Sequence, residues 1–120
     1  RTLPDPFMEA LDCPSGDQIT PARTNSVTVQ QALALWNDAF MARHCEFIAA
    51  RIEKDLLTSQ ALANDRAEFV TAQIDRAVRL ILCRPPTDGQ RRDLTEYASK
   101  HGLANVCRLL LNSNEFLFVD

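Results

Sequence analysis

The stretch RTNSVTVQQALALWNDAFMARHCEFIAARIEKDLL, residues 23–57, decides the fold. Apolar residues recur in it at three- and four-residue spacing, which is the pattern of one face of an α-helix. No Gly or Pro interrupts residues 24–57, so helix is predicted along the stretch. Two apolar stripes follow one another: Val29, Ala32, Leu33, Trp36 and Phe40, then Met41, Cys45, Ile48, Ile52 and Leu56.

The stretch has one weak point, at Asn37-Asp38. Both residues are poor in helix interiors and good at caps, because their short side chains compete for backbone groups. We therefore predict two helices, residues 28–36 and 39–57, with Asp38 as the N-cap of the second; a single kinked helix is the alternative. Thr28 and Gln31 match the capping-box pattern, and Ser26 is the other candidate cap.

Three further helices are predicted downstream, over residues 66–84, 88–100 and 103–111. Thr87-Asp88-Gly89-Gln90 has the form of a capping box, and Gly102 suits the end of the helix before it. About five helices with short connections predict an all-α fold, orthogonal or bundle-like, for a single helical domain over residues 26–120. The apolar end, residues 115–120, is expected to dock on this body.

Residues 1–25 contain four of the six prolines and a Ser-Gly-Asp cluster, so they are predicted to form an irregular arm. Its apolar residues are expected to pack it on the body, with one helical turn near residues 7–11.

The composition is that of an ordinary globular protein, with 46% hydrophobic and 24% charged residues. A formal net charge of −3 argues against a nucleic-acid partner, which normally requires a basic face. No apolar run approaches the roughly 18–20 residues that span a bilayer. The chain begins at Arg1 rather than Met, and we interpret it as a piece of a longer protein.

The four cysteines, Cys13, Cys45, Cys83 and Cys107, form no metal-binding or haem-attachment motif. His44 and Cys45 are adjacent, so on a helix their side chains diverge and do not share a metal. We therefore expect no metal site and no cofactor in this chain. Cys45 and Cys107 fall on apolar stripes and are interpreted as core residues; one disulfide is the alternative.

Three motifs carry a family resemblance. Residues 23–40 have the form Arg-x-x-Ser-x-x-x-Gln-Gln-Ala-Leu-x-Leu-x-Asn-Asp-x-Phe, residues 82–87 read Leu-Cys-Arg-Pro-Pro-Thr, and residues 109–120 read LLLNSNEFLFVD. Together they resemble a planctomycete-specific domain of unknown function that accompanies planctomycete cytochrome-c-type domains. This sequence departs from that pattern at Cys83, where Gly is usual, and at Ala39, where Pro is usual.

The resemblance implies the C-terminal part of a larger exported, periplasmic protein, with haem only in another domain. It implies no reaction. It also implies an upstream region of the same polypeptide as the nearest partner.

Arg23 and Glu115 are the candidate catalytic residues, with Glu115 as a general base. Arg23 is interpreted first as a structural clamp on a carboxylate, with Glu115 or Asp120 as its partner. The candidate binding residues are Arg23, Gln30, Asn37, Asn112 and Asn114. The simpler interpretation of Gln30 and Asn37 is that they are buried and pin the chain by hydrogen bonds. Asn112 and Asn114 are more simply interpreted as helix-end caps.

The aromatic residues Trp36, Phe40 and Phe47 are interpreted as core, with an exposed aromatic platform as the alternative.

Two functions follow from these observations. The first is a non-catalytic helical module that packs against an upstream region or a protein partner, and it predicts an exposed apolar patch. The second is a share in an enzyme site, polysaccharide- or redox-related, completed by that upstream region. A third possibility is a docking role near a cytochrome, which rests only on the domains that accompany this family.

Overall fold

The computed structural model describes residues 5–11, 28–59 and 65–118. These residues form seven α-helices and no strand: α1 Pro6–Ala10, α2 Val29–Asn37, α3 Ala39–Thr58, α4 Arg66–Leu82, α5 Asp88–His101, α6 Leu103–Leu111 and α7 Asn114–Leu117. The all-α prediction is confirmed. The five longer helices are the five predicted from sequence, and α1 is the short turn expected near residues 7–11.

Local capping chemistry explains where the helices begin. The Thr28 and Thr87 hydroxyls each accept from the backbone N–H of the glutamine three residues on. The side chains of those glutamines, Gln31 and Gln90, accept in turn from the backbone N–H of the threonines, so both capping boxes form as predicted. Asp65 caps α4 through the Ala67 N–H at 3.1 Å. These bonds satisfy N–H groups that the first turn of a helix leaves without a partner.

Asp38 alone separates α2 from α3. It takes an extended conformation (φ −66°, ψ 137°), ends α2 through its backbone N–H and caps α3 through its carboxylate, which accepts from the Phe40 N–H at 2.7 Å. The two-helix prediction is therefore confirmed, and the kinked single helix is not formed.

The end of α4 differs from the prediction, which carried the helix to Arg84. The helix stops at Leu82 because Cys83 adopts the left-handed conformation (φ 58°, ψ 23°) and turns the chain toward Pro85 and Pro86. Gly102 ends α5 with a positive φ of 87°, where glycine is favoured.

The core lies between α3, α4 and α6, with α5 packed beside them. Cys45 and Ile52 of α3 are buried against Ile74 and Val78 of α4 and Val106 of α6. This confirms the second apolar stripe as the core face of α3, and Cys45 and Cys107 as core residues. Burial raises the pKa of the Cys107 thiol to about 12, so this thiol stays neutral.

Candidate interaction surface

The first apolar stripe faces outward rather than into the core. Val29 is 76% exposed, Leu33 55% and Trp36 38%, and no residue of α2 is buried. We call these three residues the α2 stripe. The core prediction for Trp36 is wrong, because the buried centre of the protein is filled by the helices that follow α2.

Aromatic side chains extend this exposure along α1 and α3. The ring of Phe7 lies 5.2 Å from that of Phe40, Phe40 lies 4.0 Å from His44, and His44 lies 6.1 Å from Phe47, measured between ring centroids. Phe40 remains 52% exposed and Phe47 63%, so their core interpretation is wrong as well. We call Phe7, Phe40, His44 and Phe47 the aromatic face.

The C-terminal end of α2 is held by two side chains of the α6 region. The guanidinium of Arg108 lies 4.7 Å from the Trp36 ring and donates to the Trp36 carbonyl. The Asn112 amide donates to the carbonyls of Arg108 at 2.9 Å and Leu35 at 3.4 Å. A cation here also complements the negative end of the helix dipole. Arg108 and Asn112 therefore tie α2 to the core.

A second polar junction gathers around Arg84. Its guanidinium contacts both carboxylate oxygens of Glu115, at 2.5 and 2.7 Å, and donates to the Gln90 side chain at 3.0 Å. These bonds connect the end of α4 with the capping box of α5 and with α7. The hydrogen bonds from Arg84 hold the pKa of Glu115 below its ordinary range.

Among the described candidate site residues, Asn37 and Asn112 both contact Arg108, whereas Glu115 lies at the separate Arg84 junction. Arg23, Asp120 and Cys13 lie outside the described residues, as does most of the predicted arm. Glu115 takes Arg84 as its partner. Gln30 is exposed, not the buried pin expected of it, and Asn37 is an exposed acceptor 3.5 Å from Arg108.

The residues at the end of α6 behave largely as predicted. Asn112 and Ser113 donate to helix-end carbonyls, whereas Asn114 is exposed and begins α7. The apolar end docks in part, since Arg84 holds Glu115 but Phe116 and Phe118 remain 41% and 43% exposed.

Sequence reasoning missed Arg84 and Arg108 as organising residues. Arg108 is the only charge in α6, LANVCRLLL, and an isolated charge in an apolar helix was the available signal. Arg84 follows the left-handed Cys83, and its partner Glu115 is 31 residues away, which no local pattern encodes.

The sequence pattern of a family described as PSD1, protein of unknown function (DUF1553), matches residues 1–98. This chain belongs to the PSD1 family. The suspected domain of unknown function is thereby confirmed. The match covers the motifs at residues 23–40 and 82–87, while residues 109–120 lie beyond it, so their assignment as a closing motif stays a prediction. No curated relative and no solved structure matches this PSD1 chain.

Two observations bear on membranes and metals. Among the described residues of this PSD1 chain, no helix is both long and apolar enough to cross a bilayer. Within those same ranges, no three His, Cys, Asp or Glu side chains gather as a metal site would require. Cys45, Cys83 and Cys107 are free thiols.

Proposed function

We propose that this chain is a non-catalytic helical module whose α2 stripe and aromatic face pack against another part of a larger protein or against a protein partner. Its place in an exported protein, as a C-terminal part beside cytochrome-c-type domains, is supported by the family resemblance. Membership of the PSD1 family adds no reaction, since the family is one of unknown function.

The exposure of the α2 stripe carries this proposal. Isolated helices shorter than about 12–15 residues are marginal in water, and most helices in proteins are stabilised by burying an apolar face. α2 has nine residues and its apolar stripe faces outward. A contact that covers Val29 and Leu33 would supply the missing burial, and contiguous exposed apolar side chains commonly mark such contacts.

The shared enzyme site gains no comparable support. A general base needs a carboxylate that accepts a proton near the working pH. Both oxygens of Glu115 are instead engaged by Arg84, which lowers its pKa and favours the ionised, paired carboxylate. Glu115 is therefore better explained as a structural tie.

Site-specific photo-crosslinking in the source cells tests the proposal. A photoreactive phenylalanine analogue at Leu33 should crosslink to a defined segment of the same polypeptide or of one partner protein. The same analogue at Arg92, an exposed position on α5 that is 81% accessible, is the matched control and should give no such product.

Two results would overturn the proposal. One is an absence of any defined crosslink from Leu33. The other is a large loss of stability in a Leu33→Asn variant of the isolated chain, which would make Leu33 a core residue. We expect that variant to melt within a few degrees of the parent, because substitutions of exposed residues usually change stability by no more than about 0.5 kcal/mol.

A further inference from the structure

A cleft of about 420 Å³ lies where α3, α4, α5 and the start of α6 meet. Ligand sites in proteins commonly enclose roughly 300–1,000 Å³, so this cleft has room for a small molecule. None of its lining residues belongs to the α2 stripe or to the aromatic face. The cleft is therefore separate from the surface assigned above to docking.

Gln73 of α4 places a buried amide in this cleft. Among the described residues it is the only buried polar residue, at 7% exposure. Its amide nitrogen donates to Glu53 at 3.5 Å, which is long for a hydrogen bond, and its side-chain oxygen accepts from none of the residues that the structure describes. A buried polar group lowers stability unless it is hydrogen-bonded, so a donor on a bound molecule would satisfy this oxygen.

Two further acceptors line the cleft with Gln73. The Ser99 hydroxyl already donates to the Thr95 carbonyl at 2.9 Å, so its oxygen is left to accept. The Glu53 carboxylate is exposed and forms no ion pair with any described residue. A carboxylate, an amide oxygen and a hydroxyl oxygen match the three N–H donors of an ammonium group.

Arg66 adds a cation to the same cleft. It is the first residue of α4, is exposed, and forms no ion pair within the described ranges. Arg66 and Gln73 lie two helical turns apart on α4, which is about 10 Å at about 1.5 Å per residue. The half-buried Phe69 and Val70 line the cleft between them, and Leu103 of α6 adds to this apolar wall.

We propose that this cleft binds a short apolar peptide, about three residues long, whose two termini are free. The peptide ammonium donates to the acceptors of Glu53, Gln73 and Ser99. The peptide carboxylate pairs with Arg66, whose guanidinium suits carboxylate oxygens. Three extended residues span about 10 Å, which matches the distance along α4 between the acceptors and the guanidinium. Apolar side chains of the peptide pack on the wall between these two ends.

Three tripeptides separate the contributions of the two terminal charges. Leu-Gly-Leu carries both charges, its C-terminal amide lacks the carboxylate, and its N-acetyl form lacks the ammonium. Heteronuclear NMR titration of the isotope-labelled chain should show saturable shifts at the Gln73 side-chain amide and at the backbone amides of Ser99 and Leu103. Each capped form should bind about fivefold more weakly than Leu-Gly-Leu, as expected for the loss of one exposed charge pair.

Substitutions of the two charged residues should remove these preferences one at a time. Arg66→Gln should abolish the preference for Leu-Gly-Leu over its amide, and Glu53→Gln should abolish the preference over the acetylated form. The controls Arg79→Gln and Glu46→Gln make the same charge changes at exposed positions of α4 and α3 outside the cleft. Both controls should leave both preferences intact.

Gln73→Met tests the buried amide through two measurements. The variant should bind Leu-Gly-Leu about fivefold more weakly, yet melt at the temperature of the parent or above it, because an amide with one long hydrogen bond is replaced by an apolar side chain. Unchanged binding by this variant would overturn the role assigned to Gln73. If the variant is less stable than the parent, the exposed Glu53→Gln and Arg66→Gln variants decide the question.

Three results would overturn the proposal. They are equal affinities for all three peptides, shifts confined to residues outside the cleft, and no saturable shift up to about 10 mM peptide. Binding of the amide as tightly as Leu-Gly-Leu would overturn the free-peptide assignment in favour of a primary amine. The proposed docking function is decided separately by the crosslink from Leu33, which lies outside the cleft.

Discussion

Cys83 occupies a left-handed backbone conformation that is favourable for glycine. Its φ of 58° and ψ of 23° lie in the left-handed region, where a Cβ crowds the following carbonyl at a cost of about 1–2 kcal/mol. Glycine lacks that Cβ and would adopt this conformation without the cost. The conformation of Cys83 is therefore consistent with the glycine that the family resemblance implies at this position.

We predict that Cys83→Gly stabilises the protein by about 1 kcal/mol, because relief of the left-handed conformation exceeds the added flexibility of the unfolded chain. Urea denaturation monitored by circular dichroism measures the change. Cys83→Ala is the matched control, since it removes the thiol but keeps the Cβ, and it should change stability little. A glycine variant no more stable than the alanine variant would contradict the explanation.

Residue pairings show where sequence reasoning stops. Thr28 with Gln31 and Thr87 with Gln90 were predictable, because each bond closes within one helical turn. Glu115 was, with Asp120, a predicted partner of Arg23, which lies outside the described residues; the partner that the structure shows for Glu115 is Arg84, 31 residues away. A long-range ion pair depends on how α4 and α7 pack, and the charge of the partners alone does not determine that.

At the scale of helices, α2 depends on its C-terminal tie. Arg108 contacts the ring and carbonyl of Trp36, and Asn112 reaches the Leu35 carbonyl. The rest of α2 buries no residue. Regions with little buried apolar surface open locally at lower free energy than the core.

We predict that Arg108→Ala loosens α2 while leaving the other helices largely protected. The single tryptophan, Trp36, reports this directly, and its fluorescence should become easier to quench with acrylamide. Hydrogen exchange should accelerate at the amides of α2 and not at those of α4. Arg79→Ala, which removes an exposed arginine from α4, should change neither measurement, and uniform acceleration across all helices would contradict the prediction.

Helix existence was predictable, but the choice of buried face was not. The periodicity of residues 29–56 revealed apolar stripes without showing which of them the core would select. Because Cys45 and Ile52 are buried in the core, the opposite side of α3 faces outward, and Phe40 and Phe47 on that side are exposed. Helical periodicity therefore places residues on faces, while tertiary packing decides which face is buried.

At the scale of the whole molecule, the Arg84 junction attaches the C-terminal helix α7 to the rest of the protein. Arg84 joins α4, the capping box of α5 and α7 through Glu115 and Gln90. Because the folded state lowers the pKa of Glu115, its contribution to stability is present above the ordinary value of 4.5 and is lost as pH falls through the folded value.

We therefore predict that Glu115→Gln lowers the melting temperature at pH 7 and that this difference shrinks as the pH falls below about 4.5. Thermal melts between pH 3 and pH 8 measure it. In an Arg84→Met background the same substitution should have little effect at any pH, because the partner is gone. A difference that stays constant down to pH 3 would show that the carboxylate charge does not contribute.

Asp38, the one residue between α2 and α3, sets the direction of α2 relative to α3. A proline at position 39 would restrict Asp38 to extended conformations, but Ala39 leaves the helical region open to it. The φ of Asp38, −66°, is already helical, so a rotation about ψ alone, from 137° to about −42°, would join the two helices into one. Arg108 and Asn112 hold the end of α2 in place, so the direction of the α2 stripe can change only when those bonds open, and a proline at position 39 would restrict it even then.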